Sequence, residues 1–62
     1  MTAFDQRQRT FHQRIFAALV TAQDAGASVA ESRQHVAERF GVTTERVREV
    51  EQEGIEKQWP PL

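Results

Sequence analysis

Few side chains in this 62-residue chain have the type and spacing for covalent or metal chemistry. His12 and His35 are its two imidazoles, and there is no Cys. They fall on separate predicted helices, without HxxxH spacing or the further ligands that a tetrahedral zinc site needs. Both read as surface or core-edge histidines, and no metal or cofactor is expected. Asp5 and Asp24 lie several helical turns apart, too far to work as a carboxylate pair. No Ser-His-Asp set and no Gly-rich phosphate loop can be assembled. A catalytic pocket of roughly 300–1,000 Å³ also needs more wall than so short a chain supplies. The sequence therefore predicts a non-enzymatic binding protein. What it offers a partner is charge, in Arg7, Arg9, Arg14, Arg33, Arg39, Arg46 and Arg48 among a larger number of carboxylates. Eight Lys+Arg against nine Asp+Glu leave a formal net charge of −1. That balance exerts no global pull toward nucleic acid.

Positioning these groups requires helices, because helix formers dominate and clusters of β-branched residues are scarce. The first helix is expected over about 3–25. Phe4, Phe11, Ile15, Ala18, Leu19 and Ala22 recur at three, four and seven and fall on one stripe. Thr2 is its expected N-cap, with Asp5 in the first turn, and Gly26 its stop. Phe16 and Val20 lie on a second face, which predicts either a core wrapping around the helix or a self-association seam. The second helix is expected over 29–40, after Ser28 with Glu31 in the capping-box position. It carries Val29, Val36, Ala37 and Phe40 inward and ends at Gly41. The third is expected over 44–57, after Thr43 or Thr44, with Val47, Val50, Gly54 and Ile55 inward. Gly54 costs about 1 kcal/mol relative to Ala inside a helix, which predicts close approach of the first helix or the end of regular helix near that point. The tail Trp59-Pro60-Pro61-Leu62 stops the third helix. Its indole is expected to cap the bundle against Phe4 or Phe11; the alternative is a stiff extended tail that presents Trp59 and Leu62 to a partner. The fold expected is all-α, one small three-helix bundle over 1–62.

The joint between the second and third helices carries the most specific pattern. A helix-turn-helix needs a small residue where the two helices cross. It also needs a Gly in the turn and apolar residues after it that seal the pair. Ala37, Gly41, Val42, Val47 and Val50 hold those places, with Val36 and Phe40 as flanking anchors. Seven positions thus meet their expected chemistry within fifteen residues.

The stretch from Val36 to Glu51 (Val-Ala-Glu-Arg-Phe-Gly-Val-Thr-Thr-Glu-Arg-Val-Arg-Glu-Val-Glu) resembles the C-terminal helix-turn-helix, region four, of bacterial RNA polymerase sigma factors. Thr43, Glu45, Arg46, Arg48 and Glu51 match that family's pattern identically and the Val positions match conservatively. The resemblance covers about residues 34–57. It implies that the third helix enters the major groove of double-stranded DNA, with Glu45 and Arg48 at base edges and Arg46 near the backbone. Arg pairs bidentately with guanine and Glu accepts from the cytosine amino group. Thr43, Thr44 and Glu49 complete the expected contact set. Arg33 and Arg39 lie on the helix that crosses the phosphates in such a motif. The chain departs from the family at Thr44, where Arg is common, and at Glu49, where Gln is. Its third helix also continues into acidic residues instead of a basic tail. From Thr43 to Gln58 there are five Glu against two Arg and one Lys, a net of −2.

Two functions follow as expectations. The first is a small DNA-binding transcriptional regulator in the bacterial cytoplasm, dimeric or part of a larger complex, because one such module makes few contacts. The Phe16/Val20 face is the seam expected for a homodimer. The second is a protein-interaction module that keeps the fold. It would present Glu49, Glu51, Glu53 and Glu56 as an acidic face to RNA polymerase, a sigma factor or another regulator. A membrane span is not expected, since no apolar run approaches ~18 residues. Met1 favours a whole protein over an excised piece.

Overall fold

A computed structural model describes residues 3–61 of the backbone and the side chains from residue 9 onward. Three helices follow one another, α1 (Ala3–Asp24), α2 (Val29–Phe40) and α3 (Thr44–Lys57), and each packs against the other two. The architecture is the expected all-α three-helix bundle, with no strand among the described residues. No helix there is long and apolar enough to cross a membrane. The expected N-cap Thr2, the side chains of Phe4, Asp5 and Arg7, and Leu62 lie outside the described residues.

Each helix boundary has a local cause. At the end of α1, Gly26 takes φ +105°, open to a residue without a Cβ. Ser28 caps α2 through a complete capping box. Its Oγ accepts from Glu31 N–H at 3.1 Å, and its own N–H donates to Glu31 Oε1 at 3.2 Å. These bonds satisfy two donors that the helix start leaves free, and they hold the Glu31 carboxyl below its usual range. Gly41 ends α2 in the left-handed region at φ +68°, and Val42 N–H returns to the Ala37 carbonyl at 3.0 Å. Thr43 then caps α3, its Oγ1 accepting from Arg46 N–H at 3.0 Å. The α2–α3 connection is thus the three residues Gly41–Thr43, the length and chemistry of a helix-turn-helix joint. At the far end of α3 the sequence gives no glycine, and Gln58 adopts φ +53° in its place. Its N–H donates to the Ile55 carbonyl, and the next N–H, of Trp59, donates to that of Gly54.

The core gathers Ile15, Phe16 and Leu19 from α1, Val36 and Ala37 from α2, Val47 and Val50 from α3, and Trp59. Phe16 is 2% exposed, so the Phe16/Val20 face is interior and cannot serve as the self-association seam. The core wraps around α1 because that helix packs on two partners at once. Phe16 turns toward Gly54 and Trp59, while Ala18 packs at the core's edge. Trp59 caps the bundle as expected, its ring meeting Phe16 edge-on at 6.2 Å where Phe4 or Phe11 was expected; the Phe4 side chain lies outside the described residues. Three expected inward residues are displaced. Phe11 is 40% exposed, Val29 48% and Ile55 53%. Val29 opens α2, and Ile55 sits off the arc set by Val47, Val50 and Gly54. Phe11 lies at the rim, where it packs edge-to-face on Phe40.

Candidate nucleic-acid interface

The caps at Gly41 and Thr43 set α3 across α2 with one arc inward and the rest in solvent. Val47 and Val50 lock the inward arc. Thr43, Thr44, Glu45, Arg46, Arg48 and Glu49 are all exposed. Thr43 spends its hydroxyl on the cap, so its role is to start the helix. Glu45, Arg48, Glu49 and Gln52 line an open groove between α3 and α2, which Arg33 and Glu51 close from the inside. Gln52 also belongs to this surface, beyond the contact set that the resemblance implies.

The seven expected contact residues other than Thr43 do not form one cationic face. Arg33 is committed elsewhere. Its Nη2 and Nε donate to Glu51 Oε1 at 2.7 and 3.0 Å, and the Glu51 side chain keeps only 15% of its exposure. The other Glu51 oxygen accepts from Gln23 Nε2 at 3.3 Å, and that amide also donates to Ser32 Oγ at 3.0 Å. Ser32 is fully buried, and its hydroxyl donates a hydrogen bond to the Val29 carbonyl at 2.8 Å. One carboxylate therefore joins α1, α2 and α3. Glu51, one of the five identical positions in the resemblance, has a structural task. Nothing in the sequence ties Gln23 to it, since the contact spans 28 positions.

Arg39 lies on the other flank of α2, toward α1, with its guanidinium 5.5 Å above the Phe40 ring. Arg46 approaches Glu49 at 3.7 Å, with both side chains more than half exposed. A pair so placed is worth little, and Arg46 stays available. Arg48 is exposed and makes no ion pair or hydrogen bond to any described residue. The acidic alternative is thinned in the same way. Glu51 faces inward, and Glu53 is held by Lys57 at 3.1 Å and by His12 Nδ1 at 3.4 Å. Partial burial pushes the Glu53 carboxyl up, but these two partners outweigh it and hold it below the usual range. Glu49 and Glu56 remain outward, joined by Glu45. His12 is thus the core-edge histidine expected, and His35 is exposed. No cluster of three metal-ligating side chains occurs among the described residues.

The chain matches no family model, no curated protein and no solved structure with which it was compared. The likeness to sigma region four therefore rests on the residues from Val36 to Glu51.

Proposed function

We propose that this chain is a helix-turn-helix module that reads duplex DNA with the first turns of α3, Glu45 and Arg48 addressing base edges and Arg46 the backbone. The observation that carries this reading is Arg48. It projects from an exposed face of the helix, one turn after Glu45, and forms no ion pair with any described carboxylate. The N-terminus of α3 adds the partial positive charge of its free N–H groups. With Arg33 held by Glu51 and Arg39 on the far flank, the module supplies sequence discrimination and little bulk affinity. Phosphate neutralisation provides most non-specific affinity, so tight binding requires a second module or a partner. The proposed role is regulatory and non-catalytic, in a bacterial cytoplasm.

The test is selection from a random duplex pool at low salt, followed by titration of the enriched site. Arg48→Ala should weaken binding by the ~1–3 kcal/mol of one bidentate base contact and relax preference at one position. Absence of any enriched sequence, or equal binding by the Arg48→Ala protein, refutes the reading. The second reading, an acidic interaction surface on α3, is favoured by the outward Glu45, Glu49 and Glu56 and would survive that result.

A further inference from the structure

On the side of the bundle away from α3, an open groove runs between α1 and α2. Ala18 and Ala22 from α1 and Val36 and Phe40 from α2 form its apolar floor, and no α3 residue lines it. Phe11 extends the apolar surface beyond Phe40, their rings edge-to-face at 5.9 Å. Arg14 from α1 and Arg39 from α2 stand on opposite rims, and the exposed His35 stands near Arg39. Among the described residues no carboxylate lines the groove, in a chain whose acids outnumber its bases; Glu31 and Glu38 line the neighbouring hollow that shares Ala22 and His35 with it. Neither arginine has an ion-pair partner among the described residues; Arg39 has only the Phe40 ring beneath it.

We infer that this groove docks an acidic amphipathic helix of another protein. Small side chains on the floor let an approaching helix set large apolar side chains between α1 and α2, as ridges enter grooves. Such a ligand is read through apolar anchors at i, i+3, i+4 and i+7. Carboxylates on either side of that stripe meet Arg14 and Arg39. The charge pattern selects an acidic helix over a basic one, since like charges on the rims would repel. A second copy of this chain has no helix of that kind to offer. Among the described residues, the outward face of its acidic helix α3 carries Glu45, Arg48, Glu49, Gln52 and Glu56 with Ile55 as its one exposed large apolar side chain, where a docking stripe needs about four anchors. The groove and the proposed DNA-reading surface lie on different sides, so both can be occupied together.

The probe is a synthetic helical peptide of about four turns, with Leu and Phe at the four anchor positions and Glu on both flanks. It is titrated into the isotopically labelled full chain by NMR, with a Lys-for-Glu version and a scrambled version as controls. The expected result is amide shift changes centred on Ala18, Ala22 and Phe40, with the Lys version at least about tenfold weaker, the loss of one favourable rim interaction. Arg14→Glu should weaken the acidic peptide about as much and strengthen the Lys version. Ala22→Glu, which places a carboxylate on the floor, should abolish binding while far-ultraviolet dichroism stays helical. Equal binding of all three peptides, shift changes confined to α3, or no shift changes at all overturn the inference. So does concentration-dependent dimerisation in sedimentation that Ala22→Glu removes, since the groove would then belong to a second copy.

Discussion

Gly54 lies directly against the ring of Phe16. A Cβ at position 54 would stand only 2.6 Å from Phe16 Cγ, and closer still to the ring edge. The missing side chain is what lets α1 and α3 approach. Gly54→Ala sets two effects against each other. Helix propensity favours Ala by about 1 kcal/mol, while forcing a methyl into a filled core costs typically ~1–3 kcal/mol. The clash is with a buried ring that Trp59 blocks on one side, so overpacking wins. Urea melts of Gly54→Ala should show a lower midpoint. Phe16→Leu in the same chain should recover part of the loss, a positive coupling between the two sites.

The clamp of Arg33 on Glu51 should matter more than the surface pair of Arg46 and Glu49, although both join arginine to glutamate. Truncating Glu51 to Ala frees Arg33, Gln23 and one inter-helix tie, and charge-assisted hydrogen bonds of this kind are worth about 1.5–3 kcal/mol. Truncating Glu49 should change stability by less than about 0.5 kcal/mol. A double-mutant cycle at 33 and 51 that shows no coupling in denaturant melts would contradict the clamp.

Trp59 is 7% exposed with Phe16 beneath it. Removing a large buried aromatic costs about 3–5 kcal/mol, and a chain of this size holds only roughly 3–9 kcal/mol in total. Trp59→Ala, or truncation after Gln58, should therefore leave little folded helix at 25 °C by circular dichroism. Fluorescence of the intact chain should shift to longer wavelength on unfolding, as the indole enters water.

Acid should destabilise the bundle. The Glu31 and Glu53 carboxyls sit below their ordinary 4.5 in the folded chain. A depressed folded value means that the stabilisation is complete above the unfolded value and is lost as pH falls through the folded one. Melting temperatures should be level from about pH 7 to 5 and decline below about 4.5. Glu31→Gln should flatten part of that decline; an unchanged slope would remove the capping box from its cause.

If α3 contacts DNA with so few cations, the logarithm of affinity should fall gently with the logarithm of salt. Each phosphate contact contributes a slope of about −0.9, so two contacts give roughly −2. Glu49→Lys and Glu56→Lys should raise affinity and steepen the slope. A steep slope in the unmodified chain would mean that cations away from α3 make the contacts.

The helices, their caps and the joint at Gly41 were legible because their causes are local. Ser28 with Glu31, Gly41 with Val42, and Thr43 with Arg46 act over a few residues. The inward arc of α3 through Val47, Val50 and Gly54 followed from periodicity, and of the two readings of Gly54 the close neighbour holds while the helix runs on to Lys57. What was hidden depended on pairing between helices. Periodicity alone placed Phe11 in the stripe and Phe16 outside it, because one stripe suits a helix with one neighbour and α1 has two. The fate of Arg33 turned on Glu51, and that of Glu53 on His12, contacts that span 18 and 41 positions. Charge counting could not tell these half-buried, paired groups from those that face solvent.

The three-helix tie at Glu51 has a consequence for how such a module diversifies. The bundle is secured by Gln23, Ser32, Arg33 and Glu51 together with its apolar interior, and among the described residues no bond between helices involves Glu45, Arg48, Glu49, Gln52 or Glu56. Those positions are open to drift. A lineage of such chains could exchange one ligand for another through substitutions on the rind of α3, each tolerated as it arises, with no second change required inside.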